Sequence, residues 1–321
     1  MTEHRTADVA ERSGAASGAT NEVWRGEYWA KKGGVSLALY RKRLGAPVEG
    51  EAARPVLFLV HGSSNSAQSS FDLTIPGQTD YSLMNVFARA GYDVWTMDHE
   101  NYGRSSQTAG NSDIASGVED LEAGTDLVVK ETGRQTLNFL GVSSGAIRAG
   151  AFAQARPELV DRLVLVAFTY KAMDSPALKK RAQQLDYFRT HNRRLRDRAM
   201  IHSIFSRDGH PEFYDPAVAD ALADAELVYG DQIPTGTYLD MVANLPLVDP
   251  AKVKAPVLLL SGENDGNGTL DDLYDFFRAL PTGDKQFVVL PRVAHSVTYS
   301  KNRHLFWHAV MQFLGAPAPV A

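Results

Sequence analysis

The chain of 321 residues has no cysteine. That excludes disulfides, thiolate metal ligands and a cysteine nucleophile together, and nothing in the composition demands an oxidising compartment. No apolar run approaches the ~20 residues of a membrane-spanning helix. The opening residues, MTEHRTADVA, lack the apolar centre of a secretory signal. Net charge is only −5, with no basic excess, which argues against general nucleic-acid binding. There are no internal repeats, and the one low-complexity stretch is residues 1–21, expected to be a disordered tail. Glycine-rich dinucleotide or phosphate loops are also missing from any strand-to-helix setting, so no cofactor is expected. His304 and His308 stand at i, i+4, but without the Glu of H-E-x-x-H or a clear third ligand they read as structural, and no metal is expected. The expectation is a cytoplasmic protein with no nucleic-acid or membrane partner. Its oligomeric state is left open, a homo-oligomer included.

What is present is a core. With 44% hydrophobic residues the chain can bury a large interior. Residues 24–30 and 35–43 read as a hairpin around a Gly33-Gly34 turn. Pro55–Val60, Tyr92–Asp98, Thr136–Leu140, Leu163–Phe168, Ala255–Ser261 and Lys285–Leu290 are continuous apolar or β-branched runs, as strands buried on both faces require. Helical patterns over 82–91, 113–133, 146–155, 269–280 and 302–314 separate them. Strand–helix alternation of this kind implies an α/β protein with a mainly parallel central sheet. Between Phe168 and Ala255 lie over eighty residues with no clear strand, including the helix former AVADALADAELVY (217–229). The domain reading is a core of 22–168 and 249–321 and a helical cap of 169–248 over the site. The cap's lysines and arginines, from Lys179 to Arg198, read as a solvated face in preference to an anion-binding one.

Ligands in such sheets bind beyond the carboxyl ends of the strands. Gly141-Val142-Ser143-Ser144-Gly145 lies at one of those ends, before an Ala-rich helix. A serine between two glycines at a strand-to-helix junction is a nucleophile elbow: the bend is so tight that side chains at the glycine positions would collide, and it lifts the Ser143 hydroxyl clear of the sheet. A serine needs a base held by a third group. In chain order, Gly262-Glu263-Asn264-Asp265-Gly266 and Val293-Ala294-His295-Ser296 follow the last two strands. His295 is the candidate base and Asp265 the orienting acid, with Glu263 as the alternative acid. The backbone N–H groups of Ser63, in His61-Gly62-Ser63-Ser64, and of Ser144 would form an oxyanion hole, each donor worth about 3 kcal/mol in the transition state. Gly62 permits close approach, and Gly62 and Ser64 are candidate substrate contacts. His61 itself reads as a structural residue rather than a second base.

The strand ending in HG, the elbow, the acid after a strand and the late histidine together resemble the α/β-hydrolase family, in order over residues 24–314. Asp98–Ser105, DHENYGRS, is similar to the family's D-x-R-G-x-G-x-S segment, with Glu100 and Asn101 departing from it. The segments 61–66, 98–105 and 141–146 also resemble bacterial hydrolases of monoalkyl phthalate esters. That narrower resemblance implies a substrate with a free aromatic carboxylate beside the ester, for which Arg104, Arg148 and the cap arginines are candidates. The competing reading of Arg148 is an ion pair with a neighbouring acid. The leading function is a serine esterase acting through an acyl-enzyme on a small-molecule ester. The same residues would serve a carbon–carbon bond hydrolase of vinylogous diketones, and a non-catalytic receptor can share the fold. Dehalogenase and epoxide-hydrolase chemistry requires a carboxylate where this chain has Ser143.

Overall fold

The computed structural model describes residues 22–78 and 80–317, so the expected tail lies outside the described residues. The strands are β1 (Val23–Lys32), β2 (Val35–Leu44), β3 (Val56–Val60), β4 (Asp93–Met97), β5 (Leu137–Val142), β6 (Val160–Val166), β7 (Arg193–Leu195), β8 (Gln232–Pro234), β9 (Val257–Asn264) and β10 (Lys285–Ala294). The helices are α1 (Ala67–Phe71), α2 (Leu83–Arg89), α3 (Ile114–Thr132), α4 (Ser144–Ala155), α5 (Pro176–Ala182), α6 (Leu185–Thr190), α7 (Arg198–Ser203), α8 (Pro216–Leu227), α9 (Gly236–Ala243), α10 (Leu270–Ala279) and α11 (Arg303–Leu314).

Eight strands form one sheet in the order β1-β2-β4-β3-β5-β6-β9-β10. The β1–β2 and β2–β4 pairs are antiparallel, and every pair from β4 onward is parallel. Alternation along the strands sorts side chains to two faces. Val56, Phe58 and Val60 join one core with α3, α4 and α10, where Leu121, Phe152 and Phe276 are buried. Leu57 and Leu59 join the other, with Phe87 of α2 and Phe306 and Phe313 of α11. Each such side chain contributes roughly 1.5–3 kcal/mol by leaving water. Burial on both faces explains why these strands read as unbroken apolar runs. Thus the sheet is α/β, flanked by helices, and it aligns the carboxyl ends of β3, β5, β9 and β10 along one edge.

Between β6 and β9 the chain folds into α5–α9, and α7 and α8 pack through Ile201, Val218 and Leu222 on Leu73, Ile75 and Tyr299 of the core. The expectation of no strand there is corrected: β7 and β8 pair antiparallel, Arg194 opposite Ile233. At three residues each, they are too short to show alternation in sequence. No helix among the described residues is long and apolar enough to cross a membrane.

Candidate active site

Ser143 sits between β5 and α4 with φ +60° and ψ −126°, a conformation strained for any residue with a Cβ. The glycines around it are sterically required. A Cβ on Gly145 would lie 2.1 Å from the Val60 carbonyl oxygen, and one on Gly141 2.6 Å from Ala146 Cα. This bend brings the Ser143 hydroxyl into a cleft that Gly62, Ser63, His295, Tyr299 and Arg207 also line.

The structure brings the other two expected groups to that hydroxyl. His295 Nε2 lies 2.8 Å from Ser143 Oγ, and His295 Nδ1 lies 2.8 Å from Asp265 Oδ1. These partners fix the tautomer: Nδ1–H donates to the carboxylate, and Nε2 presents its lone pair to the serine hydroxyl. Burial alone would raise the Asp265 carboxyl, but the charge and hydrogen bond of His295 outweigh it and hold Asp265 below the usual carboxylate value. The Asn267 N–H donates to the same oxygen, 2.8 Å. Glu263, the alternative acid, is exposed and accepts the Arg292 N–H at 3.1 Å, away from His295.

Ser144 is the first residue of α4, so its N–H has no intrahelical acceptor and stands at the positive end of the helix. Ser63 follows β3 in a loop held from two sides. The Ser63 carbonyl accepts from Tyr102 Oη at 3.1 Å, and Ser64 Oγ meets Tyr238 Oη of α9 at 2.9 Å. No hydrogen bond of the Ser63 N–H is present among the described residues.

His61 does not face the cleft. It is fully buried, its Nδ1–H donates to the Gly62 carbonyl at 2.8 Å, and its Nε2 accepts the His99 N–H at 3.1 Å. Burial, with the charge of Arg148 nearby, holds both His61 and His99 well below the usual histidine range, so both are neutral.

Two sequence candidates are not brought to the site. Arg148 is fully buried under the loop; it donates to the Ser112 carbonyl at 3.1 Å and the His61 carbonyl at 3.4 Å and lies over the Tyr102 ring. Among the described residues it neither lines the cleft nor has an ion-pair partner. Arg104 pairs with Glu27 at 2.6 Å and covers Trp29 on the outer strands. The reading of the cap's basic residues as a solvated face is also corrected in part: Arg196 is buried against Glu226, and Arg193 donates to the Thr108 and Gly110 carbonyls.

Several residues escaped sequence reasoning. Asn267 is buried, with Nδ2 3.0 Å from His295 Nε2. Asp208, after α7, accepts the His295 N–H at 3.1 Å. Arg207, beside it, lines the cleft, the one arginine or lysine to do so among the described residues. Thr237 and Glu226 reach the Ser63–Ser69 segment from α9 and α8. An Asn in a glycine-rich turn and single polar residues on amphipathic helices carry no local signal of these roles.

The profile of a family described as serine aminopeptidase, S33 matches residues 51–302. A probable lipase of Schizosaccharomyces pombe is 26% identical over 133 residues, 38% of this chain and 29% of the lipase. Lipase 3 of Drosophila melanogaster is 33% identical over 129 residues, 37% of this chain and 32% of that protein. The chain therefore spans less than a third of the length of these curated relatives. Among solved structures, an E-2-(acetamidomethylene)succinate hydrolase superposes with a TM-score of 0.66 at 18% identity, over 91% of this chain and 100% of that one.

Proposed function

Because the chain belongs to the serine aminopeptidase, S33 family and has the α/β-hydrolase fold, we propose that it is a carboxylic ester hydrolase working through an acyl-enzyme. The observation that carries the reading is the continuous chain Ser143 Oγ–His295 Nε2 and His295 Nδ1–Asp265 Oδ1, each link 2.8 Å. Ser143 Oγ attacks the ester carbonyl while its proton passes to His295 Nε2, and Asp265 stabilises the resulting imidazolium. The tetrahedral oxyanion is held by the N–H groups of Ser63 and Ser144. As the carbon–oxygen bond breaks, His295 returns the proton to the leaving alcohol. Water then enters and bonds the acyl carbon while giving a proton to His295; the Ser143 Oγ–carbon bond breaks, the acid leaves, and His295 returns the proton to Ser143 Oγ.

An ester fits the cleft better than a peptide with a free amino terminus. An α-ammonium group calls for a carboxylate, and none lines the cleft among the described residues. Asp208 and Asp265 stand behind His295, and the cationic groups on this side carry no such partner among the described residues. Arg207 is at the cleft wall, while Arg181 and Arg194 lie over the Tyr238 ring at 5.2 and 4.8 Å, with no carboxylate paired to any of the three among the described residues. Burial lowers Arg181 to about 10, and the like charges of Arg207 and Arg194 push the same way. The narrower reading is thus an ester whose acid part carries a second, free carboxylate, as in a monoalkyl phthalate, with Arg207 as its partner.

A panel of p-nitrophenyl esters, monoalkyl and dialkyl phthalates tests both levels. The expected result is ester turnover, with the monoalkyl phthalate preferred to the dialkyl one. Arg207→Gln should raise KM for the monoester about tenfold, a loss of roughly 1.4 kcal/mol, and leave neutral esters unaffected. Turnover of a ring-cleavage dienoate with none of any ester would overturn the esterase reading.

A further inference from the structure

The two backbone donors of the oxyanion hole come from separate segments, the loop after β3 and the first turn of α4. Their side chains are joined. Ser63 Oγ and Ser144 Oγ lie 2.7 Å apart, and Thr237 Oγ1, from α9, donates to Ser63 Oγ at 2.8 Å. All three residues are buried, and Ser144 and Thr237 have no exposed surface at all. Ser144 and Thr237 also do not line the cleft, so their hydroxyls do not touch substrate.

We propose that the Thr237–Ser63–Ser144 hydroxyl chain is a tether that fixes the spacing of the two oxyanion donors, which makes Thr237 and the Ser144 side chain positioning residues supplied jointly by the inserted helices and the elbow. The physical ground is the geometry of the hole. Donors must point at where the oxyanion will form, within about 2.7–3.1 Å, and a displacement of even a fraction of an ångström weakens both. The Ser144 N–H is held by α4, but the Ser63 N–H rides on a loop with no strand or helix of its own. A direct side-chain bond from Ser63 to the residue carrying the other donor couples the two in the plainest way available. Thr237 adds a second anchor from α9, whose next residue, Tyr238, holds Ser64. The insertion therefore holds part of the catalytic apparatus in register, besides roofing the cleft.

The inference rests on Ser143 as the nucleophile, and its test separates the two. Steady-state kinetics on a neutral p-nitrophenyl ester would be measured for the wild type, Thr237→Val, Thr237→Ser and Ser144→Ala. Inhibition by a trifluoromethyl ketone, which forms a tetrahedral adduct, would be followed in parallel. Loss of a donor outright lowers kcat about 10²–10³-fold, so a displaced one should cost about tenfold. Thr237→Val and Ser144→Ala should each show that fall in kcat with KM unchanged, and the ketone should weaken in proportion to kcat/KM. Thr237→Ser, which keeps the hydroxyl, should restore kcat, and Thr237→Val combined with Ser144→Ala should fall no further than the worse of the two alone. An active wild type whose Thr237→Val and Ser144→Ala variants keep full kcat overturns the tether alone, even if they melt at lower temperature. A Thr237→Ser variant as slow as Thr237→Val overturns it too. A wild type inactive on every ester and unlabelled at Ser143 by a fluorophosphonate overturns the nucleophile beneath it.

Discussion

His61 and His99 show what burial does to single side chains in this protein. Each stays neutral because the interior disfavours its charged form, whereas in the unfolded chain each titrates near the ordinary ~6.5. The stability they give is complete above that value and is lost as pH falls below it, since the unfolded state then binds two more protons. Asp98, raised to about 6 by burial, acts in the opposite sense through one proton. The net expectation is a loss on the order of 2 kcal/mol between pH 7 and pH 5, read from urea unfolding, and a shallower slope in His99→Gln. Stability that does not change over this interval would contradict the neutral pair. Residue chemistry was legible in sequence where backbone chemistry forces it: Ser143 and its glycines announce the bend because nothing larger fits. Arg148 was misread for a geometric reason. Five residues along a helix is a turn of about 140° past a full revolution, which sends its side chain under the loop rather than into the cleft.

At the scale of elements, the segment after β3 depends on the inserted helices. Glu226 of α8, without exposed surface, accepts from the Ser66 N–H and hydroxyl at 2.5 and 2.7 Å, from Ser69 Oγ, and from the buried Arg196. Removing it strands the Arg196 charge and several donors. Glu226→Ala is therefore expected to destabilise the protein by about 3 kcal/mol or more, measured by denaturant midpoint at constant m. An unchanged midpoint would show that the buried pair is not what locks α8 to the core. The strands and long helices of the core were legible because periodicity and length mark them locally. The clasp was not, because Glu226 and Ser66 stand 160 residues apart and Thr237 and Ser63 174 apart. No local pattern encodes which face of an insertion meets which loop.

For the whole molecule, the parallel sheet does one thing that bears on function: it places the ends of β3, β5, β9 and β10 on one edge, so loops after β3, β5 and β10 line one cleft and the loop after β9 backs His295 with Asp265. A mainly parallel sheet could be anticipated from the alternation of elements, and the placement of Ser143, Asp265 and His295 beyond strand ends from their order along the chain. Which cationic side chain would overlook the cleft could not, because the insertion's tertiary packing decides it; Arg207 was indistinguishable in sequence from Arg189 or Arg194. The central claim, that Ser143 is made nucleophilic by His295, is tested most directly by covalent labelling. Incubation with a fluorophosphonate, followed by intact mass and peptide mapping, should give one adduct, on Ser143, that is lost in His295→Ala while the fold is retained. An adduct on another serine, no adduct, or labelling indifferent to His295→Ala would contradict the account.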